Sequence, residues 1–230
     1  MPRKARILVP RCPHHIVQRG HNRKAVFVED RDYQYYLDNI KEFKAELGIK
    51  LYAWCLMTNH VHLILEPADE VENLSQLMKR LAGRQSAFVN KLESRTGSLW
   101  EGRFKASPIQ RDEYLLQCVR YIEMNPVRAN MVPSLDAYKW SSYHERMGNT
   151  QSGMLDLDAC FLGLASTAVK RKERYRKYIE AEVSEAELQM LRESVQRNQL
   201  TGNNRFVDEI ETRTGLRVEK RGRGRPVIEK

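Results

Sequence analysis

The segment "IKLYAWCLMTNHVHLILEP", residues 49–67, holds two apolar runs on either side of Thr58-Asn59. The first run, 49–57, is rich in apolar and aromatic residues and reads as a strand. Thr58-Asn59 is turn chemistry, His60–Glu66 returns as the partner strand, and Pro67 ends it. Side chains two apart on a strand share a face. His60 and His62 therefore point the same way, and Val61 points to the other side. Two imidazoles on one face of an apolar hairpin need either a ligand or a packing role.

Working outward, "HHIVQR" (14–19) predicts a strand, with a short second candidate at "AVFVE" (25–29). From Arg31 to Leu47, Tyr33, Tyr36, Leu37, Ile40, Phe43 and Leu47 fall on one helical face, and Gly48 stops the helix. A second helix from about Glu72 to Glu93 carries Leu74, Leu77, Met78, Leu81, Phe88 and Leu92 at helical spacing. "FKASPIQ" (104–110) is a strand that tolerates Pro108 only near an edge or bulge. Asp112 is the expected cap of a third helix that runs to Asn125, where Pro126 stops it. The order β-α-β-β-α-β plus one helix is the ferredoxin-like split βαβ pattern, an α+β fold. It predicts a mostly antiparallel sheet with helices on one face and the histidine face open.

The chain has 230 residues, 41% of them hydrophobic, and a formal net charge of +9. Such a chain supports one compact domain with a smaller appendage, and a polyanion is its natural partner. No apolar run is long enough to span a membrane. "MPRKARILVP" lacks the apolar core of a signal peptide. Cys12, Cys55, Cys118 and Cys160 are dispersed with no CxxC pair, which fits reduced thiols in a cytoplasmic protein. After "KWSSYHERMGN" (139–149) the composition shifts. "TQSGMLD" reads as a linker, "AVKRKERYRKYIEAEV" as a basic helix, and two short amphipathic helices follow. These last two suit either a helix-turn-helix or a brace across the sheet.

The third helix places Tyr121 and Asn125 four apart, one turn from each other on one face. A His-x-His pair with an amide oxygen supplies three ligands on one side of a divalent cation, leaving positions for substrate oxygens. A tyrosine one turn away stands beside whatever that cation polarises. Taken singly, such residues are more often a satisfied histidine pair and a helix-packing tyrosine.

Taken together, "TNHVHLILEP", "LWEGRFKASPI", "YIEMNPVRANMV" and "KWSSY" resemble, in that order, the HUH single-tyrosine transposases of the REP-associated group. The resemblance covers residues 10–147, and the tail "RFVDEIETRTGLRVEKRGRGRP" resembles tails of the same proteins. It implies that His60 and His62 bind Mg2+ or Mn2+ and that Tyr121 is the nucleophile. Asn125 becomes the third ligand, where related single-strand transposases often carry glutamine. The implied partner is single-stranded or hairpin DNA, held by a monomer or homodimer associated with a prokaryotic nucleoid. The implied division is a catalytic domain (1–147), a linker with a basic helix (148–183) and a helical C-terminal region with an AT-hook-like tail (184–230). Candidate DNA contacts are Arg19, Arg23, Arg103, Lys105, Arg120 and Arg128, with Trp100 as a stacking platform. Arg223 and Arg225 of "RGRGRP" suit a narrow minor groove. Two alternatives share the fold: a palindrome-binding protein without catalysis, and a plain metal-dependent nuclease.

Overall fold

The computed structural model describes residues 6–150 and 152–218. The expected strands form β1 (His14–Arg19), β2 (Lys50–Met57), β3 (His60–Glu66) and β4 (Lys105–Pro108). They make one sheet in the order β2-β3-β1-β4, antiparallel at every pairing. Pro108 lies in β4, an edge strand, where its missing N–H costs no ladder bond. "AVFVE" is not a strand. Val26 and Phe27 are buried, but both of their amides bond to one carbonyl, that of Thr58, at 2.8 and 3.1 Å. The segment runs into the β2–β3 turn, so no strand edge lies alongside it to pair with.

Helix α1 (Asp30–Glu46) begins with Asp32 accepting the Glu29 amide at 2.9 Å, and it ends just before Gly48. Gly48 has φ 63°, the left-handed conformation that lets the chain turn directly into β2. Helix α2 spans Glu72–Leu92. Its Leu74, Leu77, Met78 and Leu81 meet Tyr36, Ile40 and Phe43 of α1 and the Leu51, Leu56, Val61, Leu63 face of the sheet in one core.

Helix α3 (Arg111–Glu123) follows β4. Its N-cap is Gln110, and Asp112 lies in the first turn rather than at the cap. Pro126 does not end the helical path. It starts a further turn, α4 (Asn125–Arg128), at a position where a missing N–H is harmless. Beyond lie α5 (Tyr143–Arg146), α6 (Ala159–Leu162), α7 (Ala168–Glu180), α8 (Glu185–Gln196) and α9 (Asn204–Thr214).

The split βαβ helices lie on one face as the pattern predicts, but the second face is not open. Tyr52, Ala53, Cys55, Met57 and Ile64 point into a second core with Leu115, Cys118, Val119 and Ile122 of α3. The stretch read as linker and basic helix adds Phe161, Tyr175 and Ile179 to that core. Every residue of β2 except Lys50 is buried, so its unbroken apolar run already required cover on both faces. Helix α8 packs on β1 and β4. After it, Thr201 runs beside β4, exchanging 2.8 Å bonds with Gln110 and Pro108, which closes an otherwise open edge. Helix α9 packs Phe206 and Ile210 on Ile7, Val9 and Cys12 of the N-terminal arm. The paired C-terminal helices are built as a brace. Among the described residues no helix is long and apolar enough to cross a membrane.

Candidate active site

Pairing of β1 with β3 sets Val17 opposite His62 and Arg19 opposite His60. His15, Val17 and Arg19 therefore share a face with His60 and His62. His15 Nε2 lies 2.8 Å from His62 Nδ1, and the His60 and His62 ring centres are 5.0 Å apart. His60 Nδ1 lies 2.6 Å from Asn59 Oδ1. An amide oxygen only accepts, so Nδ1 of His60 donates there and its Nε2 keeps a free lone pair. The same logic applies to His62 when it donates Nδ1–H to His15. Each ring is thus held by one nitrogen and presents the other.

Helix α3 lays Tyr121 across these rings, edge to face, with centroids 5.8 Å from His15 and 6.0 Å from His62. The Arg128 guanidinium covers the Tyr121 ring at 4.4 Å, and it donates to the Tyr121 carbonyl and to Asn125 Oδ1, the latter at 2.7 Å. Arg19, His60, His62, Tyr121, Asn125 and Arg128 line one cavity of about 230 Å³, to whose wall Arg192, Val195 and Gln196 of α8 also contribute. Asn125 Nδ2 is buried without a partner among the described residues.

Burial dominates the electrostatics. It lowers His15 to about 3, and burial followed by the charge of Arg19 lowers His60 to about 4. His62 is held well below the ordinary imidazole range by burial first, then by His60, His15, Arg128 and Arg19. Neutral imidazoles are what a metal requires. Among the described residues no three His, Cys, Asp or Glu side chains converge to cage an ion unaided. A pair of oriented, neutral imidazoles beside one carboxamide oxygen fits a divalent cation that also takes oxygens from a substrate.

A second basin of about 370 Å³ is lined by Arg23, Arg103 and Lys105 and shares Val17, Arg19 and Gln196 with the first. Four of the expected DNA contacts thus form one basic track that enters the histidine site. Two others do not belong to it. Trp100 is 5% exposed, and its indole N–H donates to the Ala82 carbonyl at 3.1 Å, which makes it a core residue rather than a stacking platform. Arg120 is buried against Glu187 at 2.9 Å and Tyr178, so its charge is already neutralised. Arg223 and Arg225 lie outside the described residues. Sequence reading missed His15 and Arg192. The alternation of "HHIVQR" puts His15 on the face of Arg19, a usable signal, whereas nothing local marks Arg192.

Residues 8–125 match the model of the "Transposase IS200 like" family. That is half of the chain, and the chain belongs to the IS200-like transposase family, whose members are DNA-cleaving enzymes. Within that class, two of the similar proteins are REP-associated tyrosine transposases. A candidate REP-associated tyrosine transposase of Haemophilus influenzae is 24% identical over 135 residues, which is 52% of this chain and 77% of that protein. The solved structure of a REP-associated tyrosine transposase bound to a REP hairpin superposes with a TM-score of 0.57 at 18% identity, covering 69% of this chain and 90% of its own. A candidate transposase from Deinococcus radiodurans is 23% identical, covering 53% of this chain and 96% of its own, with a TM-score of 0.37.

Proposed function

We propose that this transposase cleaves and rejoins single-stranded or hairpin DNA of the REP type, with Tyr121 as the nucleophile. The carrying observation is that Tyr121, His60, His62 and Asn125 line one cavity fed by a basic track. The Tyr121 oxygen attacks phosphorus, the bond to the 3′ oxygen breaks, and the strand downstream of the break stays on the enzyme through its 5′ phosphate as a phosphotyrosine. The tyrosine proton leaves and the departing 3′ oxygen ends as a hydroxyl. One phosphoester replaces another, so the step reverses without an external energy source.

His60, His62 and Asn125 Oδ1 would hold Mg2+ or Mn2+. Such an ion supplies charge neutralisation on the non-bridging phosphate oxygens. His15 and Asn59 fix the rings of the two histidines. Arg128 clamps the Tyr121 ring and the Asn125 amide in one arrangement, which limits the motion of the attacking oxygen. Arg19, Arg23, Arg103 and Lys105 follow the strand backbone into the site. The chemistry rests with residues 1–147. Residues 148–183 join it to the region 184–230, whose Arg223 and Arg225 add duplex affinity.

The test is a Tyr121→Phe variant incubated with a REP-type hairpin oligonucleotide and Mn2+. The variant keeps the ring and its packing, so hairpin binding should be nearly unchanged while the denaturation-resistant protein–DNA adduct vanishes. An adduct on the Phe variant would assign the nucleophile to another tyrosine. Cleavage by the wild type without any adduct would favour the plain nuclease.

A further inference from the structure

We propose that Arg192, on the C-terminal helix α8, is a phosphate ligand of the histidine–tyrosine cavity and works with Arg128 as a two-arginine clamp on the DNA backbone. The proposal deepens the strand-transfer reading and rests on it for the identity of the ligand. Arg192 lines the same cavity as His60, His62 and Tyr121, although it lies well beyond the residues that match the family model.

Its side chain is exposed, and two observations set it apart from other surface cations. The first is that it has no counter-ion. At three and four residues to either side stand Leu188, Gln189, Val195 and Gln196, so α8 itself offers no carboxylate. The acidic residues nearest on the helix are engaged elsewhere, Glu187 with Arg120 and Glu193 with Arg197. Among the described residues Arg192 has no ion-pair partner. The cavity that it lines holds two other arginines, Arg19 and Arg128, and no carboxylate among the described residues. The second observation is that its position is imposed. Leu191 and Val195 are buried, Lys105 Nζ donates to the Gln196 carbonyl at 2.8 Å, and Asn198 Oδ1 accepts the Ala106 amide at 3.0 Å. These contacts fix the α8 backbone against β4, so the exposed Arg192 side chain is delivered to the cavity wall.

Three arginines among the residues that line one cavity, with no carboxylate among them, make a site for an anion, and a phosphodiester between Arg128 and Arg192 supplies it. Arg128 spends one nitrogen on Asn125 and the Tyr121 carbonyl, and its other donors remain. A planar fork from each side suits the non-bridging oxygens of one phosphate.

The test uses the full chain, a fluorescent single-stranded oligo(dT), and binding measured across a salt series. Arg192→Ala should bind about tenfold more weakly at low salt and lower the log–log salt slope by about 0.7. Arg192→Lys should recover the slope. Lys79→Ala, an exposed cation on α2 across the sheet, should match the wild type. Because one phosphate is shared, the combined loss in Arg128→Ala/Arg192→Ala should depart from the product of the single losses. A slope and affinity for Arg192→Ala equal to those of Lys79→Ala would overturn the proposal, as would a strictly multiplicative double variant. Binding requires no cleavage. A protein that never forms an adduct would sink the strand-transfer reading, while the salt series would still decide the role of Arg192.

Discussion

His15 touches the proposed chemistry only through His62, yet it fixes which nitrogen His62 presents. Replacing it with phenylalanine keeps a flat ring in the same space and removes the 2.8 Å bond. The His15→Phe variant should fold, and its affinity for Mn2+ should fall about 10–100-fold, the usual cost of losing a group that orients a ligand. Calorimetric titration measures this directly, and unchanged affinity would make His15 mere packing. The residue escapes sequence reading because its partner lies 47 positions away and depends on strand register. His60, His62, Tyr121 and Asn125 were legible because each pair is linked by local periodicity, two residues on a strand or four on a helix. Arg120 shows the limit of that approach. It neighbours Tyr121 in sequence, but one step along a helix turns the side chain to another face, here toward Glu187.

At the scale of elements, α3, α5 and α7 are tied by a polar knot inside the second core. Glu123 accepts from Ser142 at 2.6 Å, from Tyr175 at 2.7 Å and from Arg146 at 3.1 Å, with both charged side chains fully buried. Removing one member leaves an uncompensated charge in a low-dielectric interior. Arg146→Ala should therefore cost about 3–5 kcal/mol of stability. Arg146→Met with Glu123→Gln should cost less, because the Glu123 charge leaves with its counter-charge and only Asp158, 3.8 Å from Arg146 and already accepting the Phe161 amide, stays behind. Denaturant unfolding of both variants decides this, and equal losses would mean that volume rather than charge holds the knot. The four strands and the first three helices were readable from period and punctuation. The docking of α6 and α7 was not, since "AVKRKERYRKYIE" is polar over most of its surface and buries only Tyr175 and Ile179.

For the molecule as a whole, histidine burial sets the response to acid. His14, His15 and His60 are lowered to about 4, 3 and 4, and His62 lies well below its ordinary value, in each case mainly by burial. Unfolded, each would take up a proton near pH ~6.5. Between those limits the unfolded chain binds more protons, so the stabilising contribution is complete above about 6.5 and is lost as pH falls toward 4. Each histidine adds at most about 1.4 kcal/mol per pH unit over that window. Melting temperatures recorded with a chelator from pH 8 to 4.5 should be level and then drop, and a flat profile would show that the rings take up protons as readily in the folded protein as in the unfolded chain. Removing everything after residue 147 should likewise fail to give a folded domain, because Tyr52, Leu115 and Tyr143 would lose their cover from Phe161, Tyr175 and Ile179. Insolubility of that fragment on expression is the expected reading. The wall that α8 adds to the cavity gives the growing chain a built-in delay. A ribosome that has made every residue proposed for the chemistry has not yet made the helix that contributes to the cavity wall. A product broken off before α8 carries every motif and lacks one wall of the cavity.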